Sequence, residues 1–175
     1  LFITCSDSRI APNLITHTNP GELFIVRNAG NLVPPWGADG GVAATVEYAL
    51  ECLDVSDVII CGHTHCGAVG AIVRPETVAE LSAMRRWLRY AEGTSRVLKT
   101  HYAGLSEEEL LEVCAEENVM CQIENLRTHP SVMAKLAQGK PIASSYERKH
   151  MEPEDYEALR AKHAAKFTRG GVVSR

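Results

Sequence analysis

The sequence lacks the long hydrophobic runs of a membrane protein. No apolar segment approaches the roughly 18 residues that a membrane-spanning helix needs, and no basic start followed by a short hydrophobic segment marks a secretory signal. Basic residues are not in excess either, since 18 Lys and Arg stand against 22 Asp and Glu, for a net charge of -4. We therefore expect no membrane or nucleic-acid partner, and a cytoplasmic protein whose six cysteines stay reduced.

Internal repeats and low-complexity tracts are also absent, and the composition is that of an ordinary globular protein, with 45% hydrophobic and 23% charged residues. Short apolar runs alternate with helical patterns, which predicts an α/β fold with a mostly parallel central sheet flanked by helices. Strands are predicted at 1–4, 21–28, 57–62 and 140–146. Helices are predicted at 40–53, 77–92, 106–126 and 130–139. Residues 147–175 are strongly charged and are predicted to form a C-terminal helix, beginning at Pro153, and a tail.

Two polar segments follow predicted strands. The segment CSDSR (5–9) comes directly after the first strand and places a cysteine, an aspartate and an arginine at alternate positions. Too few residues separate its Cys5 from its Arg9 for a phosphatase loop. The segment CGHTHCGAVGA (61–71) follows the third strand and lacks the Lys-Ser/Thr pair of a phosphate-binding P-loop. Each segment alone is a weak indication of function.

The predicted sheet would bring the two segments together. The carboxyl ends of neighbouring parallel strands converge where open α/β folds bind ligands, so Cys5, His63 and Cys66 are expected to meet. Two thiolates and one imidazole suit tetrahedral zinc, with a fourth position for water or another ligand. Asp7 could fill that position itself, or Arg9 could hold the Asp7 carboxylate away through a bidentate pair. The pattern leaves both arrangements open.

Longer segments make the chain resemble a known family. They include PGELFIVRNAGNLVPP (20–35), GGVAATVEYAL (40–50) and NVMCQIENLRTHPSV (118–132), beside the two polar segments. Together they resemble the β-class carbonic anhydrases of the bacterial and plant-like type. The resemblance implies a Rossmann-like sheet, one Zn²⁺ per chain, and a homodimer or higher homo-oligomer. It implies the reversible hydration of CO2 to bicarbonate and a proton as the reaction.

The resemblance also implies the ligands of the metal and the catalytic residues. Zinc is expected to be held by Cys5, His63 and Cys66. Asp7 is either a fourth metal ligand in a closed state or the partner of Arg9 in the active one. Asp7 and Arg9 are therefore the expected catalytic residues.

The implied substrate pocket is apolar and is built across the dimer interface. The counterparts of Phe24 and Tyr48 line it in the family, and Ala29 and the backbone of Gly67 are expected to lie near the same place. From the pattern alone, Phe24 would also suit a core strand residue, and Tyr48 a helix residue packed on the sheet. The resemblance favours the pocket for both.

Residues 1–146 are thus expected to form a zinc-binding, carbonic-anhydrase-like domain. Family members carry helices before the first strand and this sequence begins at that strand, so the domain is expected to lack its N-terminal helices. Residues 140–150 do not match the last strand of the family. Three functions are considered: a CO2 hydratase, a zinc-binding interaction module without turnover, and a hydrolase of a CO2 analogue such as carbon disulfide. The intact pair of Asp7 and Arg9 favours the hydratase.

Overall fold

A parallel sheet organises the fold. The computed structural model describes residues 1–139 and the backbone of the strand at 143–148. In this part of the chain the strands are β1 (Phe2–Cys5), β2 (Ile25–Asn28), β3 (Val58–His63) and β4 (Ala143–Arg148). They pair in the order β2-β1-β3-β4, and each of these pairings is parallel. The predicted α/β fold with a parallel sheet is confirmed.

Helices connect and cover the strands. The α-helices are α1 (Pro12–Thr16), α2 (Gly41–Glu51), α3 (Gly67–Val73), α4 (Ser82–Trp87), α5 (Glu92–His101), α6 (Glu107–Arg127) and α7 (Pro130–Ala137). Single turns of 3-10 helix, Pro75–Val78 and Leu88–Ala91, flank α4. None of the helices in the described residues combines the length and apolar character needed to cross a membrane.

Most predicted elements are present, with slightly different ends. The predicted strands and helices at β1, β3, α2, α6 and α7 are confirmed, and β2 is shorter than predicted because the chain turns at Gly21, whose φ is +97°. The pattern did not indicate α1, α3 or α5. The single helix predicted at 77–92 is wrong, because the backbone leaves the helical region at Leu81, with φ −94° and ψ 81°. Tertiary contacts override the amphipathic pattern here, since Trp87 packs against the main core and bonds the loop after β2.

The C-terminal predictions are covered only in part. The predicted final strand at 140–146 corresponds to β4, which continues to Arg148. The charged segment predicted at 147–175, with its helix beginning at Pro153, lies outside the described residues apart from the last two residues of β4. The division of the chain after residue 146 stays a prediction.

Both faces of the central strand are covered. All residues of β1 are buried, and successive side chains of a strand point to opposite faces of the sheet. One apolar cluster, formed with α2, α6 and α7, includes Ile3, Val46, Leu50, Ile60, Leu126 and Val132. A second cluster, formed with α3, α5 and α6, includes Cys5, Cys66, Val69, Leu98, Cys114 and Ala115. The ends of β1 and β3 are therefore enclosed by apolar side chains.

The longest helix among the described residues, α6, begins at a capping box made by Ser106 and Glu109. The N–H of Ser106 donates to Oε2 of Glu109 at 2.8 Å, and the N–H of Glu109 donates to Oγ of Ser106 at 3.4 Å. Acidic residues in the first turn suit the positive end of the helix dipole. From this start, α6 runs along the sheet and buries Asn118 and Gln122 beside the loop that follows β2.

The register of the sheet decides which side chains meet at its carboxyl edge. Cys5, the last residue of β1, is level with Asn28 at the end of β2, and Thr4 is level with Cys61 in β3. The loops that follow β1, β2 and β3 therefore gather at one edge. Phe2 is level with Ile25, so the residues just before β2 lie at the opposite, amino edge.

Replacing Gly62 by alanine is expected to destabilise the fold. A Cβ atom at this position in β3 would stand 2.7 Å from Cγ2 of Val119 and 3.5 Å from the carbonyl oxygen of Ala115. Overpacking of a buried contact typically costs about 1–3 kcal/mol. Gly41→Ala is the control, because nothing lies within 4 Å of a Cβ atom there. Urea unfolding should show a lower midpoint for Gly62→Ala only, and equal midpoints for the two variants would contradict this account.

Candidate metal centre

Cys5, His63 and Cys66 come together at the carboxyl edge of the sheet. Cys5 ends β1, His63 ends β3, and Cys66 directly precedes α3. All three side chains are buried, and one ligand atom from each lies within 4.8 Å of the other two. The two sulfur atoms are 3.7 Å apart. The structure thus brings together three of the four residues predicted to bind a metal.

The three side chains fit a tetrahedral metal ion. Two sulfur atoms that bind one zinc ion at about 2.3 Å and a tetrahedral angle lie about 3.8 Å apart, close to the 3.7 Å found here. Nδ1 of His63 donates to the carbonyl oxygen of Thr64 at 2.8 Å, which leaves the lone pair on Nε2. Nε2 is buried and makes no hydrogen bond within the described residues. Two thiols beside such a nitrogen form a donor set that suits zinc.

The hydrogen bond between the two sulfur atoms shifts the pKa values of Cys5 and Cys66 in opposite directions. The hydrogen bond from Cys66 holds the pKa of Cys5 well below its usual range, with support from His63 and the N–H of Gly30 and against the effect of burial. The pKa of Cys66 is raised because it donates that bond and is buried. Burial is the largest influence on the pKa of His63 and lowers it, but the interactions with Cys5, Thr64 and Asp7 together outweigh burial and the net shift is upward. The cluster therefore concentrates negative charge that a cation would relieve.

Asp7 lies beside the three ligands and is held by Arg9. Nε of Arg9 donates to Oδ1 at 2.9 Å and Nη2 donates to Oδ2 at 2.7 Å, which makes a bidentate pair. Oδ1 also accepts the backbone N–H of Arg9 at 2.9 Å, so the chain turns directly after β1. The Arg9 guanidinium holds the pKa of the Asp7 carboxyl well below its usual range. Of the two arrangements left open by the sequence, the structure shows the pair, with Oδ2 3.9 Å from Nε2 of His63.

Two residues that the motif analysis did not single out make further contacts with Cys5 and Asp7. Arg27 in β2 donates from Nε to the carbonyl oxygen of Cys5 at 3.1 Å and from Nη2 to that of Asp7 at 2.6 Å. The N–H of Gly30 donates to Sγ of Cys5 at 3.4 Å. Both residues lie in the segment 20–35 that carries the family resemblance. No spacing rule connects them to Cys5, and only the pairing of β2 with β1 reveals the contacts.

The predicted pocket residues fall at two different edges of the sheet. Ala29 directly follows β2, and Gly67 opens α3 directly after Cys66, so both lie at the edge that carries the metal ligands. Gly67 and Cys66 also line an open cleft of about 530 Å³. Phe24 precedes β2 at the amino edge, roughly 13 Å along the strand from the level of Cys5. Its ring lies 6.2 Å from that of Tyr48 in α2.

Comparison with known proteins places this chain in a family. The sequence profile of the carbonic anhydrases matches residues 1–146. The chain belongs to the carbonic anhydrase family. The carbonic anhydrase of Synechococcus elongatus is 49% identical to it over 142 residues, which are 80% of this chain and 52% of that protein. The carbonic anhydrase of Pseudomonas aeruginosa is 48% identical over 141 residues, which are 80% of this chain and 64% of that protein. This chain thus spans about half to two thirds of these relatives.

Solved structures agree with the β-class assignment. The β-carbonic anhydrase CcaA shares the fold with a TM-score of 0.80 and 41% identity, over 83% of this chain and 67% of that one. A β-carbonic anhydrase of Coccomyxa matches with a TM-score of 0.68 and 29% identity, over 95% of this chain and 81% of that one. Zinc is the metal of β-carbonic anhydrases, and the group of Cys5, His63 and Cys66 is able to bind such an ion.

Proposed function

We propose that this member of the carbonic anhydrase family catalyses the zinc-dependent, reversible hydration of CO2 to bicarbonate and a proton. The observation that carries the proposal is the buried cluster of Cys5, His63 and Cys66 beside the bidentate pair of Asp7 and Arg9. The match of residues 1–146 to the family profile supports the same reaction.

Cys5, His63 and Cys66 are the proposed ligands of one zinc ion per chain. Two thiolates and a neutral imidazole balance the charge of Zn²⁺ and leave the fourth tetrahedral position available. When bound, zinc supplies Lewis acidity that lowers the pKa of a water molecule toward about 7 and so provides a nucleophile near neutral pH. The carbonyl oxygen of Thr64 keeps His63 in the tautomer that binds a metal through Nε2.

Asp7 and Arg9 are the proposed catalytic pair. Because Arg9 keeps the carboxylate ionised, Asp7 can accept a hydrogen bond but cannot donate one. Its Oδ2 atom lies 3.9 Å from Nε2 of His63. There it accepts a hydrogen bond from a water molecule in the site and so orients a lone pair of that water toward the substrate. Arg9 also keeps the carboxylate from occupying the fourth ligand position itself.

A second copy of the chain is proposed to complete the substrate pocket. Ala29 and Gly67 lie at the edge of their own metal ligands, whereas Phe24 and Tyr48 contact each other at the opposite edge. The side chain of Tyr48 is 51% exposed and is therefore available to the metal centre of another copy. Tetrameric β-carbonic anhydrases are known from Sordaria macrospora, which supports a homodimer or a higher homo-oligomer here.

A cytoplasmic location is proposed as well. None of the six cysteines, all of which lie within residues 1–139, forms a disulfide bond, and Cys5 and Cys66 must remain reduced to bind a metal. A reducing compartment keeps such thiols available.

The proposed function is tested by stopped-flow CO2 hydration with the zinc-loaded chain, from about pH 6.5 to about pH 9. We expect a rate that rises toward alkaline pH, and Cys66→Ala should lose both zinc and the rate above buffer. Cys114→Ala is the matched control, because Cys114 is buried in the same apolar cluster as Cys66 but lies outside the metal group.

Full zinc occupancy without hydration would refute the hydratase. With no other turnover, that result would identify a zinc-binding module. Hydrolysis of carbon disulfide in place of hydration would identify a hydrolase of a CO2 analogue.

Asp7→Asn is expected to lower turnover by about 10-fold to 100-fold, the range found for partners of metal-site groups, with zinc content unchanged. The neutral amide accepts through one oxygen only, so it loses the bidentate pair with Arg9. Asp39→Asn is the control, because Asp39 is exposed. Steady-state hydration rates and metal analysis on the same samples provide the comparison. Unchanged turnover in Asp7→Asn would remove the pair from the mechanism.

Mixing Tyr48→Ala and Cys66→Ala copies tests whether the pocket spans two chains. In a mixed dimer, the intact metal centre of one copy meets the intact Tyr48 of the other. After co-refolding, the hydration rate should exceed the mean of the rates of the two separate variants. With random pairing about half of the dimers are mixed and each has one intact site, so the rate should approach about a quarter of the unmodified rate. A rate no higher than that mean would place the whole pocket within one chain.

A further inference from the structure

One peptide group connects a tryptophan to the sulfur of Cys5. The N–H of Gly30 donates to Sγ of Cys5 at 3.4 Å. The carbonyl oxygen of the same peptide group, that of Ala29, accepts from Nε1 of Trp87 at 2.8 Å. A trans peptide is planar, so its C=O and N–H point in opposite directions and cannot turn independently. The indole of Trp87 therefore fixes the direction in which the Gly30 N–H points.

The loop that contains this peptide is not in a conformation that it would adopt alone. Gly30 and Asn31 both have left-handed backbone, with φ of +82° and +49°, and a Cβ atom at Gly30 would lie 3.2 Å from Cβ of Ala68. The side-chain amide of Asn31 is buried and makes no hydrogen bond within the described residues. Such costs persist only where the surroundings over-determine the conformation. Neighbouring elements must therefore hold the loop.

Buried side-chain amides on α6 stabilise part of this loop. The backbone N–H of Val33 can only donate, so its 2.8 Å contact with Gln122 identifies the acceptor as Oε1. Nε2 of Gln122 then donates to Oδ1 of Asn118 at 3.1 Å, which leaves Nδ2 of Asn118 to donate to the carbonyl oxygen of Gly30 at 3.0 Å. This network anchors the peptide group after Gly30, while Trp87 anchors the one before it.

We propose that Trp87 is a positioning residue of the metal centre, acting on the Cys5 sulfur through the Ala29–Gly30 peptide. An N–H bond to a thiolate withdraws negative charge from the sulfur, and hydrogen bonds around a metal site tune its ligands in this way. Donation by the indole to the Ala29 carbonyl polarises the peptide and strengthens its N–H as a donor. Trp87 thereby limits the charge that Cys5 gives to a bound metal. This inference rests on the zinc site of the proposed function.

The test compares the two tryptophans of the chain in the cobalt(II)-loaded protein. The sulfur-to-cobalt charge-transfer band reports the electron density on the thiolate ligands. Trp87→Phe loosens the Gly30 donor, so Cys5 becomes a stronger electron donor and the band should move to longer wavelength. Trp36→Phe is the control, because its side chain is 53% exposed and its ring contacts His129. An unmoved band in Trp87→Phe, or equal shifts in both variants, would overturn the proposal.

A second variant isolates the N–H group itself. Replacing Trp87 by 3-benzothienylalanine in the Trp36→Phe background keeps the shape of the ring and removes only the donor, and the same band shift is expected. This variant decides the question if Trp87→Phe does not fold. An unmodified chain that binds cobalt, but whose zinc form does not hydrate CO2, would refute the proposed function and leave the spectral comparison valid. An unmodified chain that binds no cobalt would overturn both proposals.

Discussion

The parallel pairing of β1 between β2 and β3 is the constraint on which the rest of the site depends. β1 is buried throughout, and a slip of one residue would turn Cys5 to the other face of the sheet, because side chains alternate along a strand. In the observed register Cys5 is level with Asn28 and lies beside the end of β3. The two sulfurs and His63 therefore meet without any segment having to bring them together after the sheet has formed. The metal ligands are part of the buried core, and the polar turns that surround them lie on its outer side.

Charge is the second constraint. The Asp7 carboxylate and ionised sulfur atoms place negative charge close together at the end of a buried sheet. Two arginines on the solvent side of the site offset this charge. Arg9 forms the bidentate pair with Asp7 and also reaches the carbonyl oxygen of His65 at 3.1 Å. Arg27 bonds the carbonyl oxygens of Cys5 and Asp7. The cations thus lie on the outer side of the turn after β1, and the space between the ligands is left to a metal.

The sequence could predict much of this because its strongest signals are chemical and local. Cys5 and His63 are recognisable because each follows or ends an apolar run, and Cys66 because it comes three residues after His63. The parallel topology then predicts that they meet at one edge of the sheet. The choice between a ligated and a paired Asp7 could not be made from spacing, since the turn after β1 depends on a side chain that bonds its own backbone. The break at Leu81 was missed for a related reason. An amphipathic pattern reports which face is apolar, but not that Trp87 has to reach a carbonyl group in a distant loop. The hydrogen bond from Gly30 to the Cys5 sulfur is made by a backbone N–H, so no side chain in the sequence could predict it.

The contacts around the ligands have a consequence for how freely this protein can evolve. His63 is oriented by the carbonyl of Thr64, Arg9 is anchored on the carbonyl of His65, and Cys5 receives the N–H of Gly30. These partners are main-chain groups, which every residue type except proline supplies in full, so inheritance of the contacts depends on the path of the backbone and not on which side chains occupy positions 64 and 65. Substitutions at position 64 can therefore leave the metal environment unchanged. Where the path itself requires left-handed backbone, as at His65 with φ of +54° and at Gly30 with φ of +82°, the support of the site restricts which residue can stand there.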